Sequence, residues 1–532
     1  MMPEWLFDHL YEYLGGYMFL ALAMALFTGF PVALALGGVA MMFGFLGIYF
    51  DLVSFNEFFN VPNRMWGGDG ASGAVQNPVL VAIPCFIFMG TMLERSRVAD
   101  DLLHILQVLL RRVPGGLALS VTVMGTIMAA TTGIIGASVV MMTLLALPTM
   151  LAQRYSTPLA TGTLAASATL GILIPPSIML VLMANLMAIS VGNLFLGAIL
   201  PGLVLSALYF FYIYVTSSVK PEWAPPLSED AVDIAPANRS RLMLFIALLV
   251  SVIVLAQMLS HTALGEDLDF GLIAFFIIFG MSMFFGKREG PSLFGMILKG
   301  FIPPVFLIVL VLGSIFGGWA TPTEAAGIGA FGSIILALVN GTLSKTVLSD
   351  VCQRTALTTS MIFLIFLGAT TFSYFFRALY GEDLIIEFID HLDLAPWGLL
   401  FLLMGVVFIL GFFFDWLEIT LIILPVFTPV MRVIAPEFAA HVGMDGTEPI
   451  KAIELQVLYW FAILVAINLQ TSFLTPPFGF ALFYMKGVAP SSVKMQDIYL
   501  GIIPFVILQL IGLSIVLYWP QIALWLPNAM LE

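Results

Sequence analysis

Charged side chains are scarce in this sequence. Asp, Glu, Lys and Arg make up 10% of its 532 residues, whereas hydrophobic residues make up 61%. Soluble domains carry about 25% charged residues, so this composition excludes a soluble globular fold. Basic residues are the scarcer sign, with 19 Lys and Arg against 32 Asp and Glu, and they form no patch that would bind nucleic acid.

Cysteine and histidine are rare as well. The two cysteines, Cys85 and Cys352, lie in or near apolar runs and therefore predict no disulfide framework. Histidine occurs five times, at His9, His104, His261, His391 and His441. None of them lies in the proline-broken segments described below, so a pair of axial haem ligands inside the membrane has little support.

Long apolar runs are the main feature that is present. A helix needs about 20 apolar residues to cross the hydrocarbon core, and runs near that length or longer occur at 16–50, 194–216, 241–260, 268–286, 396–414 and 498–519. The short alternating segments of a membrane β-barrel do not occur. The sequence therefore predicts an all-α polytopic membrane protein. The run 16–50 exceeds the core of a signal peptide and lacks a basic flank, so we interpret it as a retained membrane segment.

Two segments place adjacent prolines inside an otherwise apolar helix. Residues 168–179 contain Pro175 and Pro176, and residues 468–479 contain a second proline pair. Adjacent prolines remove two amide donors and disfavour helical conformation in the preceding residue, so each segment predicts a broken helix. Inside a bilayer such a break is tolerated where it is buried in protein or lines a polar cavity. Matched breaks in two halves of a membrane chain indicate a transporter binding site.

A region rich in small residues precedes the first break. Residues 128–138 read Met-Ala-Ala-Thr-Thr-Gly-Ile-Ile-Gly-Ala-Ser, which suits either close helix packing or a re-entrant hairpin. An internal repeat favours the hairpin, because the spacing that aligns Gly90 with Gly368 also aligns Gly133 with Gly411. Gly411 likewise precedes a proline-broken helix, so the same order of elements is predicted in both halves.

The repeat predicts how the chain is divided. We expect a first transmembrane repeat at 1–216, a polar linker at 217–240, two additional transmembrane helices at 241–286 and a second repeat at 287–532. The hairpins are expected at about 128–150 and 405–430, and the broken helices at about 160–190 and 456–489. We expect inverted copies, which are common when broken helices face each other at the midplane.

Three further segments have local interpretations. Residues 95–113 form an amphipathic pattern that predicts an interfacial helix, and their arginines favour the cytoplasmic side. A second amphipathic segment lies near 342–358. Thr321-Pro-Thr-Glu324 predicts a helix start, with Thr321 as the N-cap and Glu324 as the acid of a capping box.

The hairpins and breaks would bring oxygen atoms together. A broken helix exposes carbonyl groups at the end of its first part and amides at the start of its second. Carbonyl and hydroxyl oxygens suit a hard cation, whereas amides at a helix start suit a carboxylate. The residues that could supply oxygens are Thr131, Thr132, Gly133, Gly136, Ser138 and the 171–177 break in the first half, and Gly411, Asp415, Asn468, Thr471, Ser472 and Thr475 in the second.

Asp415 is an ionisable residue in an apolar stretch, where a charge is costly and indicates function by default. It could bind an ion or substrate, or it could only cap the second arm of a hairpin. Glu418 lies one turn further on and could be interfacial. Arg377 and Arg432 are candidate anion ligands, although arginines that flank membrane segments commonly serve as interfacial anchors.

Several blocks resemble the large membrane subunit (M) of the TRAP transporters, the tripartite ATP-independent periplasmic carriers. They occur in order over most of the chain: Asn77-Pro-Val-Leu-Val-Ala-Ile-Pro84 with Phe86 to Gly90, Gly171-Ile-Leu-Ile-Pro-Pro-Ser177, Thr321-Pro-Thr-Glu-Ala-Ala326, Asp415 ahead of Pro425, and Thr475-Pro-Pro-Phe-Gly479. The resemblance implies an elevator-type transporter in the bacterial inner membrane, with two hairpins and two broken helices in a mobile domain. It also implies a small membrane subunit and a periplasmic substrate-binding protein that delivers an organic acid.

The resemblance further implies two sodium sites, each between a hairpin and a break, with substrate between them. The residues at the first site would be Thr132, Gly133, Gly136, Ser138, Gly171 and Pro175. Those at the second would be Gly411, Asp415, Asn468, Ser472 and Thr475, and the candidate substrate ligands are Ser177, Asp415, Arg377 and Arg432. The first hairpin has fewer serines than the family pattern, and 217–286 looks like an insertion relative to shorter members.

These features predict a transport protein and not an enzyme. The expected function is the large membrane subunit of a secondary, sodium-coupled, binding-protein-dependent importer of a carboxylate, with co-transported Na⁺ and no organic cofactor. An alternative is a stand-alone sodium and anion symporter of related architecture, which would need no binding protein. A membrane subunit of a redox or ion-pumping enzyme complex is the alternative from another class. A membrane protein with only a scaffolding role is a third alternative, but it would not explain the two matched helix breaks.

Overall fold

The computed structural model describes residues 4–67, 75–96, 98–132, 135–226, 239–260, 270–289, 292–445, 448–476 and 479–531. These residues are organised as helices and connecting turns, without a β-strand among them. Within the same ranges, ten helices are long and apolar enough to cross a membrane. The structure therefore confirms the all-α polytopic architecture predicted from the composition.

The helices are numbered in chain order. Up to residue 296 they are α1 (Glu4–Phe27), α2 (Val32–Tyr49), α3 (Asn60–Trp66), α4 (Ala82–Arg95), α5 (Val98–Leu110), α6 (Gly116–Thr132), α7 (Ile135–Ala152), α8 (Thr157–Thr169), α9 (Ile178–Met187), α10 (Val191–Val219), α11 (Arg239–Ser260), α12 (Phe270–Glu289) and α13 (Leu293–Met296). Beyond it they are α14 (Ile302–Phe316), α15 (Pro322–Val339), α16 (Lys345–Ala378), α17 (Gly381–His391), α18 (Pro396–Leu410), α19 (Trp416–Ile434), α20 (Ile450–Leu474), α21 (Phe480–Val488), α22 (Met495–Tyr518) and α23 (Gln521–Leu531). Turns of 3₁₀-helix occupy Phe55–Phe59, Pro78–Val81, Leu170–Ile172, Pro221–Trp223 and Ala435–Phe438, and a π-helical turn occupies Ile297–Phe301.

The apolar run 16–50, predicted as a membrane segment, is divided between α1 and α2. Gly29 adopts a φ of +81°, in the left-handed region that favours glycine, and Pro31 is the N-cap of α2. The amphipathic segment near 342–358 is not an independent interfacial helix, because it forms the first turns of α16. The amide of Val347 donates to Ser344 Oγ at 3.1 Å and starts that helix, which continues into apolar sequence without a proline.

The predicted helix start at Thr321 is confirmed. The Thr321 amide donates to Glu324 Oε2 at 2.8 Å, and the Glu324 amide donates to Thr321 Oγ1 at 3.3 Å. Both bonds of a capping box are therefore present at the start of α15, with Pro322 in the first turn. The hydroxyl of Thr323 also donates to the carbonyl oxygen of Pro78 at 2.7 Å, which joins α15 to the turn that precedes α4.

The helices pack into two groups. The hairpin group comprises α6–α10 and α18–α23, and the flanking group comprises α1–α5 and α11–α17. In the flanking group, α4 packs against α15 and α16, and α2 packs against α16. The two groups meet chiefly where α6 contacts α4 and α5 and where α19 contacts α16. Each group takes helices from both predicted repeats, so the spatial division differs from the sequence division at 217–240.

Packing inside the hairpin group is reciprocal between the two halves of the chain. The helix α7 packs against α21, and α19 packs against α9, so the second arm of each hairpin meets the helix that follows the break in the other half. Likewise α8 packs against α22, and α20 packs against α10. Helices of each half of the chain are therefore partly covered by helices of the other half.

The second arms of the two hairpins end at opposite faces of the molecule, which are defined here by the two ends of α10. At the first face, the Ser156 amide donates to the Trp223 carbonyl at 2.8 Å, beside the turn from α7 to α8. At the second face, Arg432 Nη2 near the end of α19 donates to the Met187 carbonyl at 3.0 Å, at the end of α9. The first contact lies just beyond the end of α10 and the second just before its start, so the second arms of the two hairpins end on opposite sides of the molecule.

Glycines allow α8 and α22 to approach closely. A Cβ at Gly501 would overlap the Pro158 carbonyl oxygen, whereas a Cβ at Gly405 would meet no atom within 4 Å. We expect Gly501→Ala to lower stability by about 1–3 kcal/mol, which is typical of overpacking. The measurement is the thermal unfolding midpoint of the purified chain in detergent. Gly405→Ala is the matched control, and an equal midpoint for the two variants would contradict the role of this contact.

Candidate functional site

The first broken helix has a gap between two helical ends. After α8, a 3₁₀ turn ends at Ile172, and α9 begins at Ile178. Pro175 lies buried in this gap and is joined to the next proline by a cis peptide bond. Ser177 is fully buried, and its hydroxyl donates to the carbonyl oxygen of Ile172. That hydroxyl bridges the two ends of the break.

The first hairpin packs against this gap. The helix α6 contacts the 3₁₀ turn that contains Gly171, which is buried. Ser138 is buried in the first turn of α7, and Gly136 lies beside Tyr484 of α21, whose ring would be 3.0 Å from a Cβ at that glycine. Gly133 and the side chain of Thr132 lie outside the described residues. Of the residues predicted for the first sodium site, Gly136 thus lies beside α21, whereas Gly171 and Pro175 lie in the break.

The second hairpin turns at 411–415, between α18 and α19. Asp415 is the N-cap of α19, and its Oδ1 accepts from the Trp416 amide at 2.8 Å. The Asp415 amide donates to Glu418 Oε2 at 3.3 Å and completes a capping box. Asp415 therefore does cap the hairpin arm, and its side chain also lines the cavity described below.

Two polar residues near the second break, Asn468 and Thr475, are bonded within the fold. Asn468 Nδ2 donates to the Met404 carbonyl at 2.7 Å and ties α20 to α18. Thr475 Oγ1 donates to the Thr471 carbonyl at 2.5 Å, at the end of α20. Ser472 differs, because its buried hydroxyl has no hydrogen-bond partner among the described residues. It lies against Gly411, where a Cβ would overlap the Ser472 hydroxyl, so an unsatisfied oxygen faces the hairpin turn.

The hairpins and breaks meet at a cavity of about 540 Å³. From the hairpin group it is lined by the starts of α7, α9, α19 and α21 and by the end of α20: Ile135, Gly136, Ala137, Val140, Ile178, Asp415, Trp416, Leu417, Glu418, Phe473, Phe480 and Tyr484. The flanking group contributes the end of α4 and the first part of α16: Glu94, Arg354, Thr358, Met361 and Ile362. The cavity therefore lies on the border between the two groups.

Sequence reasoning did not identify Glu94 and Arg354 as site residues. Arg354 belongs to an ion-pair network on the flanking side, in which its Nε lies 3.1 Å and Arg95 Nη2 lies 2.7 Å from Asp350 Oδ2. The i, i+4 spacing of Asp350 and Arg354 is visible in the sequence and predicts their pairing. Their position at the cavity depends on the packing of α16 against α4, for which the sequence has no local signal.

Two other predicted residues lie away from the cavity. Arg377 pairs with Glu382 at 2.6 Å near the end of α16. Arg432 Nη1 lies 3.2 Å from Glu454 Oε2, and its Nη2 bonds the last turn of α9. In this structure both arginines join helix ends at the second face, and neither lines the cavity.

Comparison with known proteins shows the family. The chain matches the family described as "Tripartite ATP-independent periplasmic transporter, DctM component" over residues 19–522. It is 26% identical over 450 residues to the C4-dicarboxylate TRAP transporter large permease protein DctM of Pseudomonas aeruginosa, covering 84% of this chain and 86% of that protein. It is 25% identical over 511 residues to the ectoine/5-hydroxyectoine TRAP transporter large permease protein UehC of Ruegeria pomeroyi, covering 96% of this chain and 97% of that protein. It is 26% identical over 511 residues to the isethionate TRAP transporter permease protein DctMQ of Oleidesulfovibrio alaskensis, covering 94% of this chain and 65% of that protein.

The matched range includes both hairpins, both breaks and every residue of the cavity. It confirms the resemblance found in the sequence, and it identifies a transport component and not an enzyme. The candidate spans and the family together identify a multi-pass membrane subunit of a binding-protein-dependent secondary transporter for organic acids. The chain belongs to the DctM family, the large permease component of the tripartite ATP-independent periplasmic transporters.

Proposed function

We propose that this chain imports a carboxylate across the bacterial inner membrane, coupled to sodium, by an elevator movement of the hairpin group. The observation that carries the proposal is the cavity of about 540 Å³ at which both hairpins and both breaks meet. Its remaining wall belongs to the flanking group, so movement of one group past the other would carry a bound solute with it.

The distribution of Lys and Arg supports one orientation of the chain in the membrane. Among the described residues, we place Arg64, Arg377, Arg432 and Lys451 at the second face, and we place the other Lys and Arg in segments at the first face. Cytoplasmic segments carry the excess of basic residues, so we assign the first face to the cytoplasm. The cavity reaches the end of α4 and the first part of α16 at that face, and we therefore assign the structure to the inward-facing state.

We propose that sodium binds where oxygen atoms of a hairpin face those of a break. At the second site these would be the Ser472 hydroxyl, the Asp415 carboxylate and the carbonyl groups near Gly411, with Asn468 and Thr475 close by. The unsatisfied hydroxyl of Ser472 is the strongest support, because a buried polar atom without a partner is costly unless a ligand satisfies it. The residues proposed for the first site are Thr132, Gly133, Gly136, Ser138, Gly171 and Pro175.

The substrate carboxylate is proposed to bind at the starts of α9 and α21. Their first residues, Ile178 and Phe480, both line the cavity, and free amides at a helix start favour anions. Arg354 is a candidate ligand from the flanking side. The relatives are named for C4-dicarboxylate, ectoine and isethionate. Similarity therefore supports an organic acid and leaves its net charge open.

The proposed partners are a small membrane subunit and a periplasmic binding protein. This chain covers 65% of the isethionate permease protein DctMQ, whose name joins M and Q. That relative supports a small membrane subunit as a partner of this chain. The two additional helices proposed within 241–286, α11 and α12, pack against each other and against the π-helical turn of the flanking group.

Reconstitution tests the proposed function. Proteoliposomes that contain this chain and the small subunit are expected to take up substrate only when binding protein and an inward sodium gradient are both supplied. Uptake that persists after the gradient is collapsed would contradict sodium coupling. Uptake without the binding protein would instead support the stand-alone symporter. Liposomes without the chain provide the background rate.

A further inference from the structure

The cavity has an uneven distribution of charge. The charged residues that line it are Glu94 and Arg354 on the flanking side and Asp415 and Glu418 on the hairpin side. On the flanking side the charges compensate one another. Arg354 and Arg95 share Asp350, and Glu94 is adjacent to Arg95 at the end of α4.

Asp415 and Glu418 lack such compensation. Neither carboxylate forms an ion pair with a Lys, Arg or His within the part of the chain that the structure describes. At the start of α19, the Asp415 carboxylate accepts a hydrogen bond from the Trp416 amide, and the Glu418 carboxylate accepts one from the Asp415 amide. A helix start contributes roughly half an elementary charge, which is less than two carboxylates require. One sodium ion at the second proposed site would neutralise Asp415 and leave Glu418.

Four aromatic residues line the same cavity. Trp416 belongs to the first turn of α19, Phe473 to the end of α20, and Phe480 and Tyr484 to α21, and all four line the cavity with the two carboxylates. Aromatic faces attract cations through their quadrupole, and quaternary or delocalised nitrogen cations are the ligands best suited to them. A wall of carboxylates and aromatic rings would therefore favour a cationic nitrogen and disfavour a second carboxylate.

We infer that the transported organic acid also carries a cationic nitrogen, and that Glu418 is the residue that recognises it. The substrate class is thus a zwitterion, such as a betaine or an amidinium carboxylate, and not a dicarboxylate. This inference rests on the proposed function. The carboxylate of the zwitterion would lie towards the starts of α9 and α21, and its nitrogen would lie towards Glu418 and the aromatic rings.

Glu418→Gln separates the charge of this residue from its structural bond. Glutamine at the third helical position can still accept from the N-cap amide, so the bond to Asp415 is retained while the charge is lost. Glu324→Gln makes the same change in the capping box of α15, which does not line the cavity. It is therefore a matched control for any effect of the substitution on folding.

The experiment begins with the ligand that the binding protein carries when it is purified from its host, identified by mass spectrometry. That compound is then used for uptake by the reconstituted complex. We expect a carboxylate with a cationic nitrogen, and we expect Glu418→Gln to lower its uptake by about tenfold or more, while Glu324→Gln matches the unaltered chain. Thermal unfolding of both variants verifies that they are equally folded.

Three outcomes would overturn the inference and leave the proposed function intact. The carried ligand could be a nitrogen-free acid that is still taken up with sodium. Glu418→Gln could transport at the rate of Glu324→Gln. Glu418→Gln could raise the sodium concentration required without changing the apparent affinity for substrate, which would assign Glu418 to the ion. Failure of the proposed function looks different, because no uptake would then depend on the binding protein at all.

Discussion

A mercuric bridge between positions 77 and 185 is expected to abolish uptake in a chain that carries Asn77→Cys and Asn185→Cys. In the structure, Asn77 Nδ2 donates to Asn185 Oδ1 at 2.5 Å and joins the flanking group to α9. Asn77 is held on the flanking side, because its own Oδ1 accepts from the Val79 amide at 3.0 Å. An elevator movement must separate these two residues, and a covalent bridge would prevent it.

The measurement compares uptake before mercuric chloride, after it, and after a reducing agent removes the bridge. Cys85 and Cys352 are replaced first, since both are free thiols. Gln456→Cys with Asn528→Cys is the matched control, because Gln456 Nε2 donates to Asn528 Oδ1 at 2.7 Å within the hairpin group. That pair should bridge without loss of uptake. Full uptake by a chain bridged between 77 and 185 would show that the groups do not separate there.

Asp415→Asn is expected to lower uptake by about 10- to 100-fold, which corresponds to roughly 1.4–2.7 kcal/mol of binding. Asparagine is as good an N-cap as aspartate, so its oxygen can still accept from the Trp416 amide. The carboxylate is lost, and with it the only formal charge in the 411–415 turn. Uptake should then require a higher sodium concentration than the unaltered chain requires.

Asp415→Ala separates the two roles of this residue further. It removes the cap as well as the charge, so we expect both the thermal unfolding midpoint and the uptake rate to fall. Asp415→Asn keeps the cap, so its unfolding midpoint should stay unchanged. The assay is the initial uptake rate as a function of sodium concentration, with unfolding measured on the same preparations. If Asp415→Asn transports normally and only Asp415→Ala is impaired, Asp415 serves as a cap alone.

Local features of the fold were predictable from the sequence. Adjacent prolines act on their own backbone, and a helical gap occurs at Pro175 and Pro176, where the sequence indicates one. The capping box at Thr321 likewise involves residues three positions apart. Gly29 and Pro31 are an equally local signal for the turn between α1 and α2, although the run 16–50 was interpreted as one membrane segment. Wherever the determinants are neighbours in the chain, the sequence was sufficient.

Positions set by packing between distant helices were not predictable. Arg354 reaches the cavity because α16 packs against α4 and α19, whereas Arg432 is held at the second face by its contacts with Glu454 and Met187. Both are arginines near an apolar run, and no local pattern in the sequence shows which of them reaches the cavity. The unpaired hydroxyl of Ser472 is a similar case, since its environment depends on Gly411 of another helix.

The reciprocal packing of the hairpin group has a consequence for how the chain is made. Because α7 requires α21 and α9 requires α19, the N-terminal half enters the membrane with two helices still uncovered. They must remain so through synthesis of the linker and the following helices, until the C-terminal half emerges. Large membrane chains that wait in this way expose apolar and polar surfaces to wrong partners. The hairpin group is thus completed only after the C-terminal half has been synthesised.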